Sequence, residues 1–164
     1  MPDDLKLCVV DYNDPAQAAD LVGLLDLYAR DPLGSGRPLD EKVKQTLAAE
    51  LAKRPHALSV LAYVGDEPAG LVNCFEVFST FRAMPVINIH DVIVDPQYRG
   101  RQIAPAMLDR VEQIARQRGC CKLTLEVLEG NPTAMRVYRR CGFDAAAPTP
   151  GSDRTLFFEK QLGL

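Results

Sequence analysis

Residues 90–108 read HDVIVDPQYRGRQIAPAML, residues 122–127 read KLTLEV, and residues 129–143 read EGNPTAMRVYRRCGF. From Ile89 to Phe143 this spells a strand, a basic turn, a helix, a second strand and a short helix. The apolar run stops before Pro96, after which Ala104, Met107, Leu108, Val111, Ile114 and Ala115 recur on one helical face that ends near Gly119. Between strand and helix lies Tyr98 to Ala104. A helix N-terminus leaves backbone N–H groups without partners, and with the macrodipole these make a cradle for a diphosphate. Gly100 permits a tight turn and close approach of a ligand, and Arg99 and Arg101 add positive charge. Pro105 costs little in the first helical turn, where its missing N–H has no bond to lose. Gln102 is expected to need no positive φ, because glutamine tolerates one poorly. Neither G-x-x-x-x-G-K-[ST] nor G-x-G-x-x-G is present, which argues against ATPase and dinucleotide-binding readings.

Working outward, Lys122 to Leu128 is expected as a strand on which Glu126 alternates with Thr124 and Leu128. Asn131 followed by Pro132 predicts a helix over Pro132 to Arg140, with Asn131 as its cap and Gly142 closing it. Ala134, Val137, Tyr138 and Cys141 share a face of that helix, so Tyr138 is a core aromatic whose hydroxyl reaches the core's edge. Plainer readings stay open here: a turn with solvated arginines, a cap and a core aromatic. A final strand is expected over Thr155 to Gln161. Upstream, Leu5 to Val10 suits a first strand, and Asp14 with Pro15 opens a helix carrying Ala18, Leu21, Val22, Leu25 and Tyr28 on one face. The Gly- and Pro-bearing stretch Asp31 to Asp40 predicts a loop, after which Asp40 caps a helix through about Lys53. Ala57 to Val64 and Ala69 to Phe78 flank GDEP as an antiparallel hairpin, and Val86 to Asp95 is the next strand.

At 164 residues the chain (1–164) is expected to be a single domain, able to bury roughly two thirds of its unfolded surface. Hydrophobic residues make up 47% and charged residues 25%, and no apolar run reaches the roughly 20 residues needed to cross a bilayer, so no membrane partner is expected. The N-terminus lacks a basic region leading into an apolar one, which predicts a cytoplasmic protein. The five cysteines, Cys8, Cys74, Cys120, Cys121 and Cys141, form no C-x-x-C pair and have no histidine at zinc-ligand spacing, so they read as reduced and no metal is expected. A net charge of −3 with dispersed basic residues offers no field for nucleic acid.

Taken jointly, these motifs resemble the GNAT superfamily of acetyl-coenzyme A-dependent N-acetyltransferases. Val94 to Ala104 meets V-x-P-x-Y-R-G-x-x-I-[GA], and Asn131 to Phe143 meets N-x-x-A-x-x-x-Y-x-x-x-G-F in full. The resemblance covers about the C-terminal half. Locally, HDVIVDPQYRGRQIA with CCKLTLEVL also looks similar to the corresponding stretch of glucosamine-phosphate N-acetyltransferases, which likewise place Gln after the turn. The resemblance implies an α/β (α+β) fold: a mixed, mostly antiparallel sheet of six to seven strands, flanked by about four helices, with strands 4 and 5 splayed around the pantetheine of acetyl-CoA. Val92, Ile93 and Val94 would then bond the pantetheine through their backbone, and the amides of Arg99, Gly100, Arg101, Gln102, Ile103 and Ala104 would hold the diphosphate. Asn131 would contact the cofactor, and Tyr138 would face the thiol. A possible homodimer is implied as well.

Acyl transfer to nitrogen needs a neutral amine, hence a base, and a thiolate leaving group benefits from a proton donor. Glu126 precedes Tyr138 by twelve residues, a spacing shared with ribosomal-protein N-terminal acetyltransferases, where the resemblance implies base and acid roles. Glu126 is therefore the expected base, with Asp91 or His90 as fallback, and Tyr138 the expected acid. The expected reaction is direct attack by a primary amine of a small molecule or peptide in a ternary complex. No cysteine sits at a nucleophile-activating helix N-terminus. The rival reading is a regulatory domain that binds acetyl-CoA without turnover. Acceptor choice is expected to lie with the Asp31 to Asp40 loop, the second helix and Ser79 to Pro85.

Overall fold

The computed structural model describes residues 4–144 and 160–162. Its elements, in order, are β1 (Leu5–Val9), α1 (Pro15–Arg30), α2 (Glu41–Ala52), β2 (Ala57–Val64), β3 (Glu67–Ser79), β4 (Met84–Val94), a 3-10 turn (Pro96–Tyr98), α3 (Ile103–Gln117), β5 (Leu123–Leu125) and α4 (Pro132–Arg140). The five strands lie side by side in chain order, antiparallel except for the parallel pair β4–β5.

Local signals set most boundaries. Asp14 accepts from the amides of Ala16 and Gln17 with Pro15 behind it, and Asn131 accepts from Ala134 with Pro132 in the same place. Gly119 and Gly142 end α3 and α4 in the left-handed region, at φ +70° and +84°. Asp40 occupies the cap position of α2 but makes no side-chain cap bond. The loop there is tied down from α1 instead, where Asp26 accepts from the Leu39 amide at 2.8 Å.

The sheet carries apolar residues on both faces, so each face needs its own helical cover. One core joins Leu58, Val60, Ala62, Ala69, Val72 and Cys74 of the sheet to Ile103, Met107, Leu108 and Val111 of α3, with Val137 and Tyr138 of α4 at its edge. The other joins Leu61, Leu71 and Ile93 to Leu21 and Leu24 of α1 and Leu51 of α2. Gly70 lets α3 sit close: a Cβ there would lie 2.9 Å from the Met107 Cε and 3.1 Å from the Ile103 Cγ2.

Two expectations are corrected here. The described residues form five strands rather than six to seven. The expected strand at Thr155 to Gln161 falls mainly on residues 155–159, outside the described ones. The Lys122 to Leu128 strand is also shorter than expected: β5 spans only Leu123–Leu125 and pairs with Ile87 to Ile89 alone. The cause lies in its neighbour. Asn73 of β3 pairs with Asp91, but Cys74 pairs with Ile89, so His90 is an extra residue in β4, a β-bulge. Ile87 and Ile89 face the α3 core, whereas beyond the bulge Val92 and Val94 do so and Ile93 turns to the α1 side. The bulge redirects β4, and the parallel ladder stops there. From His90 to Val94 the edge toward β5 pairs with no strand among the described residues.

Candidate active site

The parting of β4 and β5 opens a cavity of about 130 Å³. Tyr28 and Leu33 close it from α1 and the loop after it. His90, Asp91 and Val92 line it from β4, Glu126 to Leu128 from beyond β5, and Asn131, Ala134 and Tyr138 from α4. Glu126, Tyr138, Asp91, His90 and Asn131 are therefore brought together around one cavity. Glu126, however, is not on a strand face: β5 ends one residue before it, and its side chain is exposed.

Tyr138 is half-buried, and its ring meets Phe143 edge-on with centroids 6.1 Å apart. Burial, with smaller contributions from Tyr28 and Cys141, pushes its phenol up to about 12. Across neutral pH the group is a protonated donor. His90, the bulge residue, is exposed and packs edge-on against Phe75 at 5.7 Å.

Beside the cavity, the turn from Tyr98 into α3 shows what the basic motif builds. Gly100 adopts φ +78°, and Gln102 adopts φ +63°, ψ +19°. The second value overturns the expectation of a negative φ at Gln102. The two left-handed residues, Gly100 and Gln102, swing the chain into the helix, leaving the Gly100, Arg101 and Gln102 amides without hydrogen-bond partners among the described residues. A Cβ on Gly100 would meet nothing within 4 Å, so the turn faces open space. A concave row of free amides at a helix N-terminus, beside an unpaired strand edge, fits the diphosphate and pantetheine of a coenzyme A. The Arg99 guanidinium reaches Val94 O at 3.4 Å and Asp31 Oδ2 at 3.5 Å, and Arg101 stacks over the Tyr98 ring at 5.4 Å. Both remain exposed and free to exchange these weak contacts for a phosphate.

The left-handed conformation strains Gln102 by about 1–2 kcal/mol, partly offset by the extra freedom a glycine has when unfolded. Gln102→Gly is therefore expected to raise stability by roughly 0.5–1 kcal/mol in a denaturant titration while acetyl-CoA affinity holds. A loss of stability would mean that the side chain, not the backbone, shapes this turn.

Tyr28, Ser59 and Asn73 escaped the sequence reading. Tyr28 counted there as one of an apolar helical face, and it now closes the cavity. Ser59 and Asn73, interrupting apolar strands, carried a signal in their parity: each is a polar residue on a face that is otherwise core. Of the three segments expected to choose the acceptor, only the Asp31 to Asp40 loop reaches the cavity, through Leu33. Among the described residues, no cluster of three or more His, Cys, Asp or Glu could hold a metal, and no helix is long and apolar enough to cross a membrane.

Fold and site together define a class: mixed α/β proteins whose parted strands open beside an amide cradle. The chain belongs to the acetyltransferase (GNAT) family, whose profile matches residues 21–143. An uncharacterized N-acetyltransferase of Methanocaldococcus jannaschii is 30% identical over 128 residues, 76% of this chain and 57% of that protein. A thialysine N-epsilon-acetyltransferase of Bos taurus is 38% identical over 56 residues, 34% of this chain and 33% of that protein. The chain thus spans about half or less of the length of these curated relatives. Among solved structures, an aminoglycoside N-acetyltransferase in complex with CoA superposes with a TM-score of 0.74 at 17% identity, covering 96% of this chain and 95% of that one.

Proposed function

We propose that this protein transfers the acetyl group of acetyl-CoA to a primary amine of a small molecule or peptide, by direct attack in a ternary complex. One observation carries the reading: the cavity between β4 and β5 gathers a protonated phenol and carboxylates beside a cradle of free amides. The amides of Gly100 to Ala104 hold the diphosphate, with Arg99 and Arg101 at its rim. The unpaired edge of Val92, Ile93 and Val94 bonds the pantetheine, and Asn131 contacts it from α4. The amine nitrogen attacks the thioester carbon, and the carbon–sulfur bond breaks. Glu126 takes the amine proton, directly or through a water, and the Tyr138 hydroxyl gives a proton to the departing sulfur. A cytoplasmic location and, read from the family resemblance, a homodimer belong to the same proposal. So does an acceptor of the kind named in the relatives' descriptions, an aminoglycoside or thialysine amine.

A thiol-release assay over an amine panel tests this. Release dependent on one class of amine is expected, and tight acetyl-CoA binding without release on any amine would make the protein a binding module. Glu126→Gln is expected to lower kcat by about 10²-fold. If the rate stays parental, the base is another group.

A further inference from the structure

Among the described residues only two polar side chains are buried, Ser59 at 2% and Asn73 at 5% exposure. They are direct cross-strand partners on β2 and β3, and Asn73 is in turn the partner of Asp91 on β4. The Ser59 hydroxyl donates to Asn73 Oδ1 at 2.7 Å, and Asn73 Nδ2 donates to Asp91 Oδ2 at 3.0 Å. The Tyr12 hydroxyl lies 2.9 Å from Ser59 Oγ. Since Ser59's single proton goes to Asn73, Tyr12 is the donor in that outer bond. All the bonds then point one way, from Tyr12 through Ser59 and Asn73 to the Asp91 carboxylate. Turning the Asn73 amide over would set its carbonyl oxygen against that carboxylate.

Such a ladder has little purpose as packing. A buried polar group left unpaired costs about 1–3 kcal/mol, and apolar side chains of the same shape would fill these sites without that hazard. The ladder does accomplish one thing that an apolar core could not. It grips a single oxygen of Asp91, while Oδ1 has no hydrogen bond among the described residues and the residue lines the cavity. The bulge at His90 is what puts Asp91 in line with Asn73 and Ser59, on the α1 side of the sheet beside Tyr28. The cavity lining holds Asp91 and Glu126 with His90 as its one basic side chain and no lysine or arginine, an acidic balance that suits a cationic ligand.

We propose that Asp91 anchors a cationic acceptor in this cavity and that Asn73 is the positioning residue that aims it. The inference rests on the acetyl-transfer reading of the same cavity. Ser59 and Tyr12 act one step further back, locking the Asn73 amide.

The test is calorimetric titration of the coenzyme A-saturated protein with 1,5-diaminopentane, and with glucosamine 6-phosphate as an anionic comparison. The parent protein is expected to bind the diamine more tightly than the sugar phosphate. Asp91→Asn and Asn73→Leu are each expected to weaken the diamine about tenfold or more, roughly 1.4 kcal/mol, with coenzyme A affinity unchanged. Asn73→Leu takes the acceptor from the buried Ser59 hydroxyl, so it is expected to lower the melting temperature as well. A purely structural ladder would lower the melting temperature and spare diamine affinity. Asp91 lies at the cavity edge and its amide keeps its shape, so Asp91→Asn decides the matter if Asn73→Leu does not fold. Parental diamine affinity in Asp91→Asn, a preference for the sugar phosphate, or no diamine binding by the parent would each overturn the inference. If thiol release fails on every amine while diamine binding still depends on Asp91, the transferase reading falls and the cation site stands.

Discussion

Tyr138→Phe is expected to lower kcat by about 10²- to 10⁴-fold, the range for loss of a positioned general acid, with little change in KM for acetyl-CoA. The ring is what packs: it meets Phe143 edge-on and borders the α3 core, and phenylalanine retains both contacts. Only the hydroxyl is lost. Because burial holds the phenol up to about 12, the donor is fully protonated at neutral pH, and its function fades only as pH rises through that value. An alkaline limb well below pH 10 therefore belongs to another group and should persist in the variant. Steady-state kinetics from pH 6 to 10 check both points, and a parental rate in Tyr138→Phe would remove Tyr138 from the mechanism. A fall in kcat/KM through KM alone would instead mark the hydroxyl as a binding contact.

The largest expected change in stability comes from Met107→Ala. Met107 is 0% exposed and sits where α3 presses on Gly70 and the strands behind it. Truncating a buried methionine costs about 2–5 kcal/mol through lost transfer energy and the cavity left behind. At this chain length each kcal/mol moves the melting temperature by about 2–4 °C, so a drop on the order of 4–20 °C is expected in calorimetry. The same helix presents the amide cradle at its N-terminus, so saturating acetyl-CoA should restore part of the loss by binding only the folded state. A shift below about 2 °C would show that α3 collapses into the gap and that the Gly70 contact is loose.

The legible parts of this protein were those decided over a few residues. Asn131 with Pro132, Asp14 with Pro15, and Gly119 and Gly142 each carry their reason within one helical turn, in a cap, a fixed φ or a left-handed exit. The amphipathic period of α3 is equally local. Gln102 shows where local reasoning fails. Its side chain disfavours a positive φ, yet the strand behind it and the helix ahead, both anchored in the core, impose the turn. The Lys122 to Leu128 pattern read as one strand because parity cannot reveal that its partner bulges. A bulge at His90 leaves no mark in a run as uniformly apolar as Val92 to Val94.

By itself, then, the amino-acid order determined most of the elements, the basic turn and the short capped helix, and through the resemblance of their order and spacing the family. Tertiary structure alone decided that β4 changes face at His90, that β5 ends at Leu125, and that Tyr28 closes the cavity from α1. It also decided that Ser59, Asn73 and Asp91 stand in one polar line. The reason is range: capping and helical period act within four residues, whereas the ladder joins positions 14 and 18 residues apart, with Tyr12 reaching Ser59 across 47. Those meetings depend on sheet register, and register is settled only when both faces of the sheet are covered.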